Sequence, residues 1–424
     1  MLRFNTEFAE GFVSPAELDD YRRAHADVLA RCQEGEEGFA DSLGWLSVSA
    51  WAGDEVLERT CALAERIRAC ADTFVLIGVG GSNNATRAAL AALAPEVGAR
   101  VVFAGNTLSA WELNRVIASL EGHDVVIDCV AKNFETLEPG SSFRLLRQYL
   151  VERYGAEEAA RRIVCTGTIG SPLEDLCRDE GYTFVPFATD VGGRFTALTE
   201  VHLLPLAVGG VDIRALVDGA REAERACRGD GPLENEAYRY AACRNILWER
   251  GYRMELLGFF EPRFRWFSKW FEQLFAESEG KDGRGLFPSA AEYSEELHSL
   301  GQFVQDGTHL LFETFLDVAG PGPGDSLVLG GTDVADGFGY LDGVDFWDIN
   351  KASFRATRAA HAEVLPCLTL EIDRLDERHL GMLFYWFAFA CTVSGRLLGV
   401  NPFDQPGVEA YKALMFRALG KGAR

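Results

Sequence analysis

Residues 73–98, which read TFVLIGVGGSNNATRAALAALAPEVG, decide the fold class. A short apolar run at 73–79 passes through a glycine-rich turn into a segment with the composition of a helix. Continuous apolar strands that alternate with helices are typical of a parallel sheet covered on both faces. The same order recurs downstream, with further strands predicted at 100–105, 124–130, 162–167 and 182–187. The sequence therefore predicts an α/β fold with a doubly wound, mainly parallel sheet.

The chain on either side of this pattern is mostly helical. Ser14 and Pro15 suit the N-cap and first position of a helix, and apolar residues recur at helical spacing up to residue 71. After Arg194 the pattern stays mostly helical to about residue 280. A second, smaller α/β pattern follows, with a helix expected at 289–305 and strands expected at 286–288, 309–318, 325–331 and 365–373.

These patterns predict two α/β domains with helical extensions at both ends of the chain. We expect the C-terminal helices to begin near Arg374 and to be interrupted at 400–407, where VNPFDQPG carries two prolines and a glycine. The expected division is an N-terminal helical extension at 1–72, a first α/β domain at 73–205, a helical connection with a second, smaller α/β domain at 206–373, and a C-terminal helical segment at 374–424.

The composition restricts the partners and the compartment. Acidic residues outnumber basic ones 64 to 41, and the net charge of −23 disfavours nucleic acid and anionic membranes as partners. The ten cysteines form no CxxC pair, which favours a reducing compartment over a disulfide framework. The N-terminus lacks a signal-peptide pattern, and the apolar stretch 380–395 is too short to span a membrane, so we interpret it as a buried core helix. We expect a cytoplasmic protein.

Two strand–loop–helix passages are candidate anion sites. GVGGSNNA (78–85) lets a backbone approach closely at Gly81 and offers the Ser82 hydroxyl, but it lacks the dinucleotide-binding spacing. It is either a simple turn or a sugar or phosphate loop. VIDCVAKNFETLEP (126–139) has the order in which α/β proteins hold phosphate at a helix N-terminus. Lys132 and Thr136 are its candidate phosphate ligands, whereas the negative charge of Glu135 would repel a phosphate.

FEQLFAESEGKDG (271–283) carries a candidate general base. Gln273 and Glu277 are four residues apart and therefore lie on one helical face. Neighbouring phenylalanines can make that face partly dry, which favours the role of a general base for Glu277. The alternative is an exposed acidic helix end before a Gly280 stop.

Three other positions have a chemical and a structural interpretation. His298 lies on a polar stripe of its helix together with two glutamines. It could transfer protons, or it could be an ordinary buried or interface histidine. No other histidine or cysteine lies at the spacing of a metal site. Arg194 follows two glycines and suits either an anion or a structural ion pair. Lys412 lies in a helix after NPFDQPG, where a surface lysine is the ordinary interpretation.

Together these stretches resemble the glucose-6-phosphate isomerase (phosphoglucose isomerase) family in its shorter bacterial form. The resemblance covers about residues 70 to 415 and rests on GVGGS, VGGRF, QLFAESEGKDGRGLFP, LHSLGQFVQDG and NPFDQPGVEAYK, in this order. It implies a fold of two sugar-isomerase (SIS) α/β domains. It also implies interconversion of glucose 6-phosphate and fructose 6-phosphate through a cis-enediol(ate), without a metal or an organic cofactor.

The resemblance also implies a role for each matching residue. Glu277 would be the base, and Arg194 would stabilise the developing oxyanion. His298 and Lys412 match residues that assist ring opening, and in this family the histidine comes from the neighbouring subunit, which implies a homodimer. Substrate contacts are expected from Gly81, Ser82, Lys132, Thr136, Gln273 and Gln405.

The phosphate loop departs from the family pattern, in which serines and threonines flank the lysine. Ala131, Asn133 and Glu135 stand at hydroxyl positions. A hydrogen bond to a charged group contributes roughly 1.5–3 kcal/mol, so losing two would weaken phosphate binding by ~10²- to 10⁴-fold unless Asn133 and backbone N–H groups substitute. A second departure is SNNA at 82–85, where the family usually has a Leu-Gly pair after the serine.

These departures leave an alternative to the isomerase. The chain could be a sugar-phosphate-binding protein of the SIS fold, or an isomerase with a shifted substrate. We prefer the isomerase, because a site without catalysis has no need for this whole set of acid–base groups.

Overall fold

The computed structural model describes residues 2–132 and 134–420, so Asn133 lies outside the described residues. Its strands are β1 Leu2–Asn5, β2 Thr73–Ile77, β3 Arg100–Ala104, β4 Val125–Ala131, β5 Ile163–Gly167, β6 Thr183–Pro186, β7 Met254–Phe259, β8 Phe287–Glu292, β9 Leu311–Val318 and β10 Cys367–Ile372. Its α-helices are α1 Pro15–Ala24, α2 Ala26–Glu34, α3 Val48–Trp51, α4 Asp54–Cys70, α5 Asn84–Leu93, α6 Ala110–Ser119, α7 Leu137–Tyr154, α8 Ala156–Arg161, α9 Pro172–Glu180, α10 Glu200–Val208, α11 Ile213–Gly229, α12 Glu236–Glu249, α13 Arg265–Glu279, α14 Leu300–Asp306, α15 Phe346–His361, α16 Glu377–Leu398 and α17 Glu409–Ala418.

The first sheet is the parallel sheet that the apolar runs predict. Its strand order is β3-β2-β4-β5-β6, and every neighbouring pair is parallel. All residues of β2, β4 and β5 are buried, because helices cover both faces. The strands β3 and β4 lie on opposite sides of β2, so the winding direction of the chain reverses there. Ligands of open α/β sheets bind at such a reversal. The loops that follow β2 and β4 flank that crevice.

The second sheet has the order β1-β10-β9-β7-β8. The strands β7 to β10 pair in parallel, whereas β1 pairs antiparallel with β10, with Leu2 opposite Ile372. The strand β1 is thus at an edge of a sheet whose other strands lie between residues 254 and 372. The mixed α/β architecture with mainly parallel sheets is confirmed.

Several local expectations for this second sheet are wrong. The region expected to be helical up to about residue 280 contains β7, whose short apolar sequence MELLGF does not by itself distinguish strand from helix. Residues 289–292 are strand rather than helix, and α14 begins only at Leu300. The segment 325–331 forms no strand, and its Val328 makes an isolated bridge to Asp345. The edge strand β1 has four residues and was not predicted.

The apolar stretch 380–395 lies in α16, the central helix of the core. Its residues from His379 to Gly395 are all buried, which confirms the interpretation as a core helix. Within the described chain, α16 is the one helix that by length and composition could cross a membrane, and 89% of its most apolar window is buried inside the protein. Such burial is typical of a core helix.

A buried ionic cluster fixes the end of α13. The Arg244 guanidinium, from α12, pairs with Glu255 of β7 and with Glu279 at 2.6 Å. The side chains of all three residues are fully buried, so each charge depends on its partners. Tyr240 donates a further hydrogen bond of 2.6 Å to Glu255. The cluster holds the last turn of α13, where Glu277 lies.

Candidate active site

The last turn of α13 presents a half-buried carboxylate. Glu277 is one turn after Gln273, and the Gln273 Nε2 atom donates to Glu277 Oε2 at 3.1 Å. The opposite face of the helix buries Phe271, Leu274 and Phe275. The Glu277 side chain is 21% exposed, so it is not the fully exposed helix end of the alternative interpretation. A carboxylate that is accessible but held suits a group that exchanges a proton with a ligand.

Arg194 holds the other oxygen of this carboxylate. Its Nη1 atom donates to Glu277 Oε1 at 3.0 Å, and its Nε atom donates to the Ser278 hydroxyl at 2.8 Å. The Nη2 atom donates to two backbone carbonyls, those of Pro402 and Asp404, at 2.5 and 3.0 Å. The guanidinium is buried and each of its three nitrogen atoms donates a hydrogen bond, so it is a fixed positive charge beside the carboxylate.

The glycine loop after β2 packs directly on the loop that carries Arg194. A Cβ atom at Gly81 would lie 2.2 Å from the Gly193 carbonyl oxygen, so only glycine fits there. Gly80 has a φ of +56°, and a Cβ atom there would lie 3.1 Å from Gln273 Nε2. The two loops and α13 therefore meet at one point. Ser82 closes the turn Gly80–Ser82 with a half-buried side chain.

A buried histidine holds this turn in place. The Thr86 backbone N–H donates to His202 Nδ1 at 3.2 Å, so the ring proton is on Nε2, which donates to the Gly81 carbonyl at 2.8 Å. The Thr196 hydroxyl also donates to the Gly81 carbonyl, at 2.9 Å. Burial lowers the pKa of His202 to about 4, so the imidazole is neutral at pH 7.

The C-terminal loop closes over Arg194 from the other side. Lys281 donates from Nζ to the Asn401 carbonyl and pairs with Asp404 Oδ1 at 2.8 Å. Burial lowers the pKa of Lys281 although Asp404 opposes the shift. The GKDG stretch after α13 therefore anchors the loop 401–404, whose carbonyls orient Arg194.

Three of the predicted site residues lie outside this cluster of contacts. His298 is exposed in the turn Glu295–His298. Lys412 lies in α17, where its Nζ atom pairs with Glu409 Oε1 at 2.9 Å. Gln405 is exposed just before Pro406. Among the described residues, no hydrogen bond or ion pair joins any of these three side chains to Glu277.

The predicted phosphate loop has its lysine turned toward the arginine loop. Lys132 donates from Nζ to the carbonyls of Thr189 and Val191, at 3.3 and 2.9 Å. Burial lowers the pKa of Lys132. Thr136 is the exposed N-cap of α7, and its side chain makes no capping hydrogen bond. Its hydroxyl and the N–H groups of the first two residues of α7 are therefore available to an anion, whereas the third residue is a proline and has no N–H. Glu135 is exposed.

Sequence reasoning missed four residues of the cluster. Asn84, Ser278, His202 and Lys281 all contact it, although none was singled out. Asn84, Ser278 and Lys281 lie inside the quoted stretches GVGGSNNA and FEQLFAESEGKDG, and that position was the available signal. His202 carried no signal, since its partners lie 116 and 121 residues away. Over the part of the chain that the structure describes, no group of His, Cys, Asp and Glu side chains could hold a metal ion.

The comparisons with known proteins show the family of the chain. A family model described as phosphoglucose isomerase matches residues 57–316. The glucose-6-phosphate isomerases of Staphylococcus saprophyticus and of Staphylococcus aureus strain NCTC 8325 are each 39% identical over 97% of this chain and 94% of the relative.

Two solved structures share the fold. A hypothetical protein from Thermus thermophilus superposes with a TM-score of 0.91 at 26% identity, over 99% of this chain and 100% of that one. A glucose-6-phosphate isomerase from Chlamydia trachomatis superposes with a TM-score of 0.83 at 20% identity, over 100% of this chain and 89% of that one, and it supports the fold alone. By its sequence over almost its whole length, the chain belongs to the phosphoglucose isomerase family.

Proposed function

We propose that this protein interconverts glucose 6-phosphate and fructose 6-phosphate, with Glu277 as the base. The observation that carries the proposal is the carboxylate of Glu277, which is held at one oxygen by Arg194 and at the other by Gln273 while staying partly open to a ligand. Relatives that are 39% identical over 97% of the chain carry the name of this activity.

The reaction needs one group that removes a proton and returns it to the neighbouring carbon. Glu277 would take the proton from C2 of the open-chain aldose and give it to C1 of the cis-enediol(ate). As the proton moves, negative charge leaves the carboxylate and develops on a substrate oxygen. Arg194 lies beside the carboxylate as a fixed positive charge, so it can stabilise both states with little rearrangement.

The remaining assignments follow the family. His298 and Lys412 would assist opening of the sugar ring, with His298 supplied by the second subunit of a homodimer. Gly81, Ser82, Gln273 and Gln405 would contact the sugar, and Lys132, Thr136 and the N-terminus of α7 would bind its phosphate. This chemistry uses no metal and no organic cofactor, and we place the protein in the cytoplasm. The alternative of a binding protein or a shifted substrate is not favoured, because the relatives match over 97% of the chain.

A coupled assay tests this function. Fructose 6-phosphate is supplied, and glucose 6-phosphate is detected through a dehydrogenase. We expect Glu277→Gln, which keeps the shape and removes the base, to lower kcat by roughly 10²- to 10⁴-fold. Wild-type turnover no faster than that of Glu277→Gln would refute the proposal.

A further inference from the structure

Asn84 connects the glycine loop to the base. It is the first residue of α5, which packs beside α13, and its side chain is half-buried. The Asn84 Nδ2 atom donates to Gln273 Oε1 at 2.8 Å, and the Gln273 Nε2 atom donates to Glu277 Oε2 at 3.1 Å. A continuous chain of two hydrogen bonds therefore runs from α5 to the carboxylate.

The donor-to-acceptor direction of these two hydrogen bonds depends on Asn84. A primary amide has an acceptor on one side and a donor on the other. When Asn84 donates to the oxygen of the Gln273 amide, the NH₂ group of that amide must face Glu277. With the amide reversed, its oxygen would face an ionised carboxylate and repel it. Arg194 holds the other carboxylate oxygen, so both oxygens are then fixed by donors.

The local fold does not need this side chain. The neighbouring Asn83 is the N-cap of α5, and its Nδ2 atom donates to the Gly78 carbonyl at 2.6 Å, which holds the turn. Asn84 already lies within the helix, where asparagine is a weaker helix former than leucine. Its polar side chain is therefore explained by the contact with Gln273 rather than by capping.

We propose that Asn84 is a positioning residue of the isomerase site, which orients the Gln273 amide so that its NH₂ group donates to the ionised carboxylate of Glu277. The inference rests on the proposed function, in which Glu277 is the base. Asn84 acts through Gln273 and does not itself contact Glu277. It occupies the SNNA stretch, where this chain departs from the usual family sequence.

The test compares two variants of Asn84, one that reverses the direction of the hydrogen bond to Gln273 and one that removes it. Asn84→Asp keeps the shape but only accepts hydrogen bonds, so it draws the Gln273 NH₂ group away from Glu277. Asn84→Leu removes the hydrogen bond and keeps an apolar volume. The readout is the pH profile of kcat/KM in the fructose 6-phosphate assay, whose acid limb reports ionisation of the base in the free enzyme.

We expect the acid limb of Asn84→Asp to move up by roughly one pH unit, the equivalent of one lost charge-assisted hydrogen bond. In Asn84→Leu we expect a smaller shift in the same direction and a kcat about tenfold lower, with KM changed less. An unmoved acid limb in both variants would overturn the inference. If Asn84→Asp does not fold, the profile of Asn84→Leu decides alone.

Asn350→Asp is the matched control. Asn350 is also half-buried, and its Nδ2 atom donates one hydrogen bond of 2.8 Å, to the Phe260 carbonyl. This variant adds the same charge and loses a similar bond away from Glu277, so its melting temperature should fall while its acid limb stays in place. If the acid limb of Asn350→Asp moves as far as that of Asn84→Asp, the added charge alone explains the shift, and the inference is overturned. If the wild-type protein shows no isomerase activity, the proposed function itself is refuted.

Discussion

His202 shows how one buried side chain makes stability depend on pH. Its folded-state pKa of about 4 is below the unfolded value of 6.5, since burial disfavours the imidazolium. Between these values the unfolded chain binds more protons, so the stabilisation is complete above pH 6.5 and is lost as the pH falls through about 4. The loss amounts to at most about 3 kcal/mol.

His202→Gln isolates this contribution. A glutamine amide can donate to the Gly81 carbonyl and accept from the Thr86 N–H but does not titrate. We expect the free energy of unfolding from urea titrations to fall more steeply for the wild type than for His202→Gln between pH 6.5 and 4. Parallel curves over this window would contradict the assignment.

The loop between β4 and α7 contains a residue in an unusual backbone conformation. Phe134 has a φ of +49°, a left-handed value that disfavours side chains with a Cβ atom. Its ring packs edge-on against Phe143 at a centroid distance of 6.1 Å, which compensates for part of that cost. This packing helps to hold Phe134 in its left-handed conformation.

The comparison of Phe134→Gly with Phe134→Ala measures the backbone cost alone. Both variants lose the ring, but only alanine keeps the Cβ atom. We expect Phe134→Gly to be the more stable of the two by about 1 kcal/mol, measured by chemical unfolding. At Leu145, within α7, we expect the ordinary opposite order, with glycine less stable than alanine. The same order at both positions would contradict a left-handed Phe134.

At the scale of the whole molecule, the proposed homodimer would need an apolar surface near His298. His298 is exposed and is followed by the exposed apolar side chains of Leu300 and Phe303. The segment between β9 and α15 exposes several more large apolar side chains, namely Leu327, Val328, Val334, Phe338 and Tyr340. Exposed apolar side chains in this number are typical of an interface.

Mixed dimers test whether the partner supplies His298. Glu277→Gln and His298→Ala are each expected to be nearly inactive. If the histidine crosses the interface, a mixed dimer has one intact site, and an equal mixture refolded together should recover about a quarter of the wild-type activity. If each chain uses its own histidine, nothing is recovered. A mixture of Glu277→Gln with the double variant is the control, and light scattering checks that dimers form.

The features that depend on local periodicity could be predicted from the sequence alone. The continuous apolar runs predicted the parallel first sheet, since strands buried on both faces cannot alternate. The four-residue spacing placed Gln273 and Glu277 on one helical face, and the structure joins them by a hydrogen bond. The same reasoning was wrong at 289–292, where alanine and glutamate favour a helix but pairing with β7 makes a strand.

The contacts between distant parts of the chain are visible only in the folded molecule. Arg194 reaches Glu277 across 83 residues, and Asn84 reaches Gln273 across 189. The edge strand β1 pairs with β10 at the far end of the sequence. Such contacts leave no period in the sequence, because they arise when separate elements pack and their buried polar groups must find partners. Glu277 and Arg194, the proposed base and its arginine, could therefore be singled out from the sequence, whereas the hydrogen bonds that orient them could not.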